Sequence, residues 1–203
     1  MEEAMNVVFD LGGVVVRWQP DALIASVFDD PELRARVRRE IIDHADWLAL
    51  DRGVLEKTEA AARGAQRTGL AAKVILDFLD RVPPALTVVP ETVALMRRVH
   101  AHGQPLYCLS NMQHASIAHL EREHDYWDVF TGAVISSRIK LIKPDPAIYK
   151  YLLDTFGLRG EETVFIDDTA VNLPPAQAFG IRTIRFEDPA QCERELRTLG
   201  CIA

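Results

Sequence analysis

Four short stretches of this 203-residue sequence place carboxylates, a hydroxyl, an amide and an ammonium where they could do chemistry. The first is Phe9-Asp10-Leu11-Gly12-Gly13. A carboxylate that ends an apolar run is costly to bury unless it meets a cation or hydrogen-bond donors. Gly12 and Gly13 let the backbone turn sharply and approach a ligand closely. Asp10 therefore reads either as a covalent nucleophile or as a carboxylate capping backbone N–H groups. The second stretch is Leu109-Ser110-Asn111, where a hydroxyl and an amide could hold an anion together with backbone N–H groups, or could cap a helix. In the third, Lys143-Pro144-Asp145-Pro146, the prolines start a helix and Lys143 precedes it. Lys143 could neutralise a carboxylate and an anionic ligand at once, or lie in solvent as most lysines do; Lys140 reads as solvated. The fourth is Phe165-Ile166-Asp167-Asp168, with Asn172 following. Adjacent acids resist joint burial, and a hard divalent cation with oxygen ligands, Mg2+ above all, resolves the conflict. Otherwise one acid is a cap and the other is exposed.

The elements that must position these groups follow from hydropathy. Apolar runs at 5–9, 105–109, 132–135, 163–166 and 181–186 read as buried strands. Helical patterns at about 91–101, 113–123, 146–156 and 173–179 lie between them. Alternation of this kind predicts an α/β fold, a doubly wound parallel Rossmann-like sheet covered on both faces. Ligands in such folds sit at the C-terminal ends of the strands, where all four stretches fall. From about Pro20 to Pro84 no strand is evident. Helical segments at 21–28, 31–44, 55–67 and 71–79 replace it, with Leu33, Val37, Ile41 and Ile42 at helical spacing. The expected organisation is a core of residues 1–18 and 86–203 and an all-helical inserted cap at 19–85, joined through crossings near Trp18 and residues 83–90. The competing reading packs these helices into the main core.

Composition narrows the function classes. Hydrophobic residues make up 48% and charged residues 26%, as in an ordinary globular enzyme. A net charge of −7 argues against a nucleic-acid partner, yet allows an anionic small molecule at a locally positive site. No apolar run approaches the roughly 20 residues of a membrane span, and the acidic start MEEAMNVVFD is unlike a secretory signal, so a cytoplasmic location is expected. Cys108, Cys192 and Cys201 have no zinc-like or paired spacing.

In order and spacing, VVFDLGG, YCLSN, KPDPAIY and FIDDTAVN resemble the four motifs of the haloacid dehalogenase (HAD) superfamily, and the helical insertion is similar to that family's C1 cap. The resemblance runs through essentially the whole chain. It implies a magnesium-dependent hydrolase, a phosphoric monoester hydrolase acting on a small phosphorylated metabolite. Asp10 would be the nucleophile and a magnesium ligand. Asp168 would be a direct ligand, and Asp167 would ligate through water or orient the site. Ser110 would hold a phosphoryl oxygen with help from Asn111, Lys143 would bridge nucleophile and phosphate, and Asn172 would support the last loop.

One position departs from the pattern. Family phosphatases usually carry a second Asp two residues after the nucleophile, as acid and then base; here it is Gly12. The backbone carbonyl that this position gives to magnesium is kept, but a group worth about 10²–10⁴-fold in rate is absent. The gap leaves two alternatives: a 2-haloacid dehalogenase-type hydrolase, which uses no metal and pairs Ser with Asn as at Ser110–Asn111, or a catalytically weak binding or regulatory protein. Asp167 and Asp168 speak against the dehalogenase. The FDLGG start resembles the subgroup that contains bacterial α-D-glucose-1-phosphate phosphatase, which implies a sugar phosphate. The segment 47–53 resembles a cap turn of that subgroup, so Trp47, Asp51 and Arg52 could face the substrate or form a solvated helix end. Arg17 and Trp18, after a flap strand at 14–16, carry the same ambiguity.

Overall fold

The computed structural model describes residues 4–202; the first three residues and the last, expected in the core, lie outside the described residues. β-Branched and aromatic runs form five strands: β1 (Asn6–Phe9), β2 (Leu106–Ser110), β3 (Phe130–Ile135), β4 (Thr163–Asp167) and β5 (Arg182–Arg185). They make one parallel sheet in the order β3-β2-β1-β4-β5. The expected α/β doubly wound fold is therefore present. Phe9 pairs with Cys108 on one side and Ile166 on the other. That register sets Asp10 level with Asp167 and Leu109, with Ser110 one residue further along at the C-terminal edge.

The helices are α1 (Pro20–Ala25), α2 (Pro31–Val37), α3 (Ala45–Arg52), α4 (Lys57–Thr68), α5 (Ala72–Asp80), α6 (Val82–Ala85), α7 (Pro90–Ala101), α8 (His114–Glu123), α9 (Ser136–Ile139), α10 (Pro146–Phe156), α11 (Leu173–Gln177) and α12 (Pro189–Thr198). Their ends follow local chemistry. Asp30, Asp145 and Asp188 cap α2, α10 and α12 through their side chains, each with proline in the first helical position. Gly53 closes α3 in the left-handed conformation.

Strand alternation divides the core between the two faces. Val7, Phe9, Cys108 and Ile166 pack with Leu95 and Met96 of α7, Leu120 of α8 and Leu196 of α12. Val8, Leu109 and Phe165 pack with Ile148, Tyr149 and Leu152 of α10 and Ala176 of α11. A third apolar cluster, from Leu23 to Val82, is built wholly from the strand-free segment around Val37, Ile75 and Phe78. Trp18 packs against both this cluster and the first. Each large aliphatic side chain fully buried here contributes about 1.5–3 kcal/mol.

Several local expectations are corrected. Residues 14–16 form no strand: Val14, Val15 and Val16 N–H groups all bond to the Leu11 carbonyl, so the chain turns there, and Val16 makes only isolated bridges to Gly12 and Val88. The helix expected over 31–44 is α-helical only to Val37 and widens into a π-helical turn at Arg38–Ile42, which buries the adjacent Ile41 and Ile42 together. The segment 47–53 is mostly helix, as α3. β2 runs one residue beyond expectation and ends on Ser110.

Candidate active site

Asp10 follows β1 with its N–H bonded to the Ile166 carbonyl at 2.9 Å. It is 7% exposed. One carboxylate oxygen accepts the Leu11 N–H at 2.7 Å, and the other lies 2.9 Å from Lys143 Nζ. Burial pushes its carboxyl well above the ordinary range; Lys143 opposes that shift and Asp167 adds to it.

Lys143 is buried, not solvated. Its Nζ also meets Asp167 Oδ2 at 2.7 Å and donates to the Leu109 carbonyl at 3.0 Å. Burial alone would lower its pKa, but the two carboxylates raise it instead, so it stays an ammonium. Asn111 sets its place. The Asn111 amide donates to the Lys143 carbonyl at 2.9 Å and accepts the Lys143 N–H at 2.8 Å. The amide expected to assist an anion is thus engaged in clamping the lysine loop.

Asp167, fully buried, is saturated. Its oxygens accept from Lys143, from the Thr169 N–H at 2.8 Å and from Asn172 Nδ2 at 2.9 and 3.1 Å. Tyr149 donates its hydroxyl to the Asn172 carbonyl at 2.7 Å and so holds that residue in turn. Asp168 is only half-buried, and its Oδ1 accepts from Thr169 Oγ1 at 3.3 Å. Burial, then Asp167, raises its pKa. Gly13, at φ +77°, lies directly against it.

Oxygens of Asp10, Asp167 and Asp168 can all come within 4.8 Å of one another. Three carboxylates and one ammonium leave two negative charges when ionised, which matches one divalent cation. All the donors are hard oxygens, as Mg2+ prefers. Ser110 Oγ is buried beside them and, although near enough to Asp10 to favour its carboxylate weakly, satisfies hydrogen-bond geometry with no group. An orphaned hydroxyl at a strand end is what an anionic ligand would complete. These residues fit a magnesium ion with a phosphoryl group.

A cleft opens over this cluster. Its mouth is lined by Asp10, Gly12, Asp51, Asn111, Lys143 and Asp168, with exposed Leu48 and Val171 at the rim. Its inner wall includes Trp18 and Trp47, stacked at 5.4 Å between centroids and 23° between planes. Of the residues expected to face a substrate, Trp18, Trp47 and Asp51 line the cleft. Arg52 is exposed and lines neither part of it. Arg17 is also exposed and donates to the Val88 carbonyl at 2.7 Å.

Sequence reasoning missed Ser136. Its hydroxyl accepts the Met112 N–H at 2.9 Å and donates to the Asp51 carbonyl, tying α3 to the sheet edge. Its place right after β3 is shared with the other strand-end groups, but its partner 85 residues away left the clamp itself unreadable.

The family model of the haloacid dehalogenase-like hydrolases matches residues 5–180. The sesquiterpene phosphatase astK of Aspergillus oryzae is 27% identical over 195 residues, covering 96% of each chain. The (S)-2-haloacid dehalogenase H-109 of Pseudomonas putida is 26% identical over 188 residues, covering 89% of this chain and 84% of that one. A HAD family enzyme from Bacteroides thetaiotaomicron, solved with magnesium and inorganic phosphate, superposes with a TM-score of 0.73 at 21% identity, over 92% of this chain and 97% of that one. Among the described residues no helix is long and apolar enough to cross a membrane.

Proposed function

This chain belongs to the haloacid dehalogenase-like hydrolases, and from that membership we propose that it is a magnesium-dependent phosphatase acting on a small phosphorylated metabolite through an aspartyl-phosphate. The observation that carries this reading is the acid cluster. Asp10, Asp167 and Asp168 converge with, among the described residues, Lys143 alone to neutralise them, a charge excess that a metal-free dehalogenase would have to bury uncompensated. Asp10, Asp168 and the Gly12 carbonyl would hold magnesium, with Asp167 orienting the group. When bound, the cation would offset charge on the phosphoryl oxygens.

The protein's own groups do the rest. Asp10 Oδ attacks phosphorus, while Lys143 and Ser110 hold phosphoryl oxygens in a site too dry to screen them. Asn111 and Asn172 keep Lys143 and Asp167 in register. The helices of residues 19–85 form the cap, close the cleft and choose the leaving group. Stacked Trp18 and Trp47 beside Asp51 suit a sugar ring, whose C–H face stacks and whose hydroxyls bond a carboxylate. The apolar rim at Leu48 and Val171 equally suits a hydrocarbon leaving group, in line with the terpene phosphatase relative.

The test is phosphate release from p-nitrophenyl phosphate, sugar phosphates and terpenyl phosphates, with Mg2+ and with EDTA. Magnesium-dependent release is expected. No release from any of them, or chloride release from 2-chloropropionate without metal, refutes the reading.

A further inference from the structure

Among the described residues, one carboxylate besides Asp10 and Asp168 lines the cleft, Asp51. It borders both the mouth, with Asp10, Gly12 and Lys143, and the inner wall, with Trp18 and Trp47. Among the described residues no imidazole lines either part, and Lys143 is held by Asp10, Asp167 and the Leu109 carbonyl. Position 12, where a second aspartate is missing, faces vacant space: a Cβ built on Gly12 meets nothing within 4 Å. Gly12 and Asp51 therefore border the same opening.

Asp51 is also held in place against the core. Ser136 donates its hydroxyl to the Asp51 carbonyl while accepting the Met112 N–H. Met112 directly follows Asn111, which clamps Lys143. Two residues on, Gly53 at φ +73° rests on Ser137, where a Cβ would stand 2.4 Å from the Ser137 carbonyl oxygen. Two contacts thus fix the end of α3 on the sheet edge beside the acid cluster.

We propose that Asp51 is the general acid–base of this enzyme, replacing from across the cleft the carboxylate that position 12 lacks. The assignment rests on the phosphatase reading. In the first step an Asp10 oxygen forms a bond to phosphorus. The bond from phosphorus to the leaving oxygen breaks, its electron pair stays on that oxygen, and the Asp51 carboxyl gives it a proton to release an alcohol. In the second step the Asp51 carboxylate takes a proton from water as the water oxygen bonds to phosphorus. The Asp10–phosphorus bond breaks with its pair returning to Asp10, and inorganic phosphate leaves with Asp51 protonated again. The environment agrees with both roles: burial, followed by the charge of Asp10, pushes the Asp51 carboxyl up to about 7. The Gln113 amide faces it closely enough to oppose the shift, although Gln113 Nε2 meets hydrogen-bond geometry with no partner.

The test compares wild type, Asp51→Asn and Asp51→Asn/Gly12→Asp on p-nitrophenyl phosphate and on a simple alkyl phosphate, with Mg2+. Asp51→Asn should lower kcat on the alkyl ester by about 10²–10⁴-fold. On p-nitrophenyl phosphate it should give a burst of p-nitrophenol and then slow turnover, because phosphoenzyme waits for an unactivated water. Gly12→Asp should restore turnover in that background. Unchanged alkyl-ester kinetics in Asp51→Asn overturn the assignment, and so does a loss with neither burst nor rescue, which marks a structural role. Should Asp51→Asn fail to fold, the wild type still decides: kcat/KM across phenyl phosphates should depend only shallowly on leaving-group pKa, and a steep dependence overturns the proposal. A wild type that releases no phosphate at all overturns the phosphatase reading itself, whereas wild-type turnover with an unaffected Asp51→Asn overturns this assignment alone.

Discussion

Gly13 and Asp168 are in direct contact: a methyl group on Gly13 would stand 2.1 Å from Asp168 Oδ2, and the backbone there has φ +77°. The turn after Asp10 and the outer acid of the cluster are shaped to each other. Gly13→Ala should therefore displace Asp168 and strain the turn. We expect Mg2+ affinity or activity to fall by about 10–100-fold, as when a group that orients a metal ligand is lost. Magnesium titration of phosphatase activity measures this, with circular dichroism as the check on folding. Wild-type affinity in this variant would disprove the coupling.

Asp10→Asn should abolish turnover and leave the fold intact. Burial disfavours the Asp10 charge, so an uncharged isostere should keep or raise the melting temperature of the metal-free protein. Activity assays and thermal melts on the same sample test both halves. Retained turnover would remove Asp10 as nucleophile.

Protons and magnesium should compete at the cluster. Burial raises the folded pKa of both Asp10 and Asp168. A raised carboxyl stabilises the fold below its unfolded pKa, near 4, and loses that contribution as pH rises through the folded value towards neutrality. The ion-paired Asp46 is shifted the other way, so the useful quantity is the increment that Mg2+ adds, not the absolute melting point. That increment should grow between about pH 5 and 7 as the ligands ionise. Thermal melts with Mg2+ or EDTA across this range provide the check, and a flat increment would argue against these ligands.

Ser136→Ala should leave the Met112 N–H and the Asp51 carbonyl without their shared partner. The expected cost is about 1–3 kcal/mol of stability, together with a lower kcat from a less settled α3. Denaturant unfolding and steady-state kinetics measure the two effects. Loss of stability with unchanged kcat would confine Ser136 to folding.

The sheet and the acid cluster were legible because both are written locally. Val7, Val8 and Phe9 announce a buried strand, and Asp10, Ser110, Asp167 and Asp168 stand at strand ends where the parallel register must gather them. Clamps that join distant segments were not legible. The work of Asn111 on Lys143 spans 32 residues, and that of Ser136 on Asp51 spans 85, so neither leaves a spacing to read. The valines at 14–16 looked like a strand because their composition is β-prone; the glycine pair before them instead folds their N–H groups back onto Leu11. Arg52 carries a charge suited to a phosphate, but its place at the end of α3 points to solvent, which periodicity over so short a helix could not decide.

The chain enters and leaves the helical segment through neighbouring backbones. The Arg17 N–H bonds to the Thr87 carbonyl, and the Val89 N–H bonds to the Val15 carbonyl. The segment between them starts and ends at this zipped neck and meets the sheet edge again where Ser136 holds the Asp51 carbonyl. With both crossings at one place, an exchange of these helices that keeps the Ser136 contact should lengthen no loop of the sheet and leave Asp10 where it is. If Asp51 travels with those helices, a graft that changes which alcohol is released also carries its own proton donor.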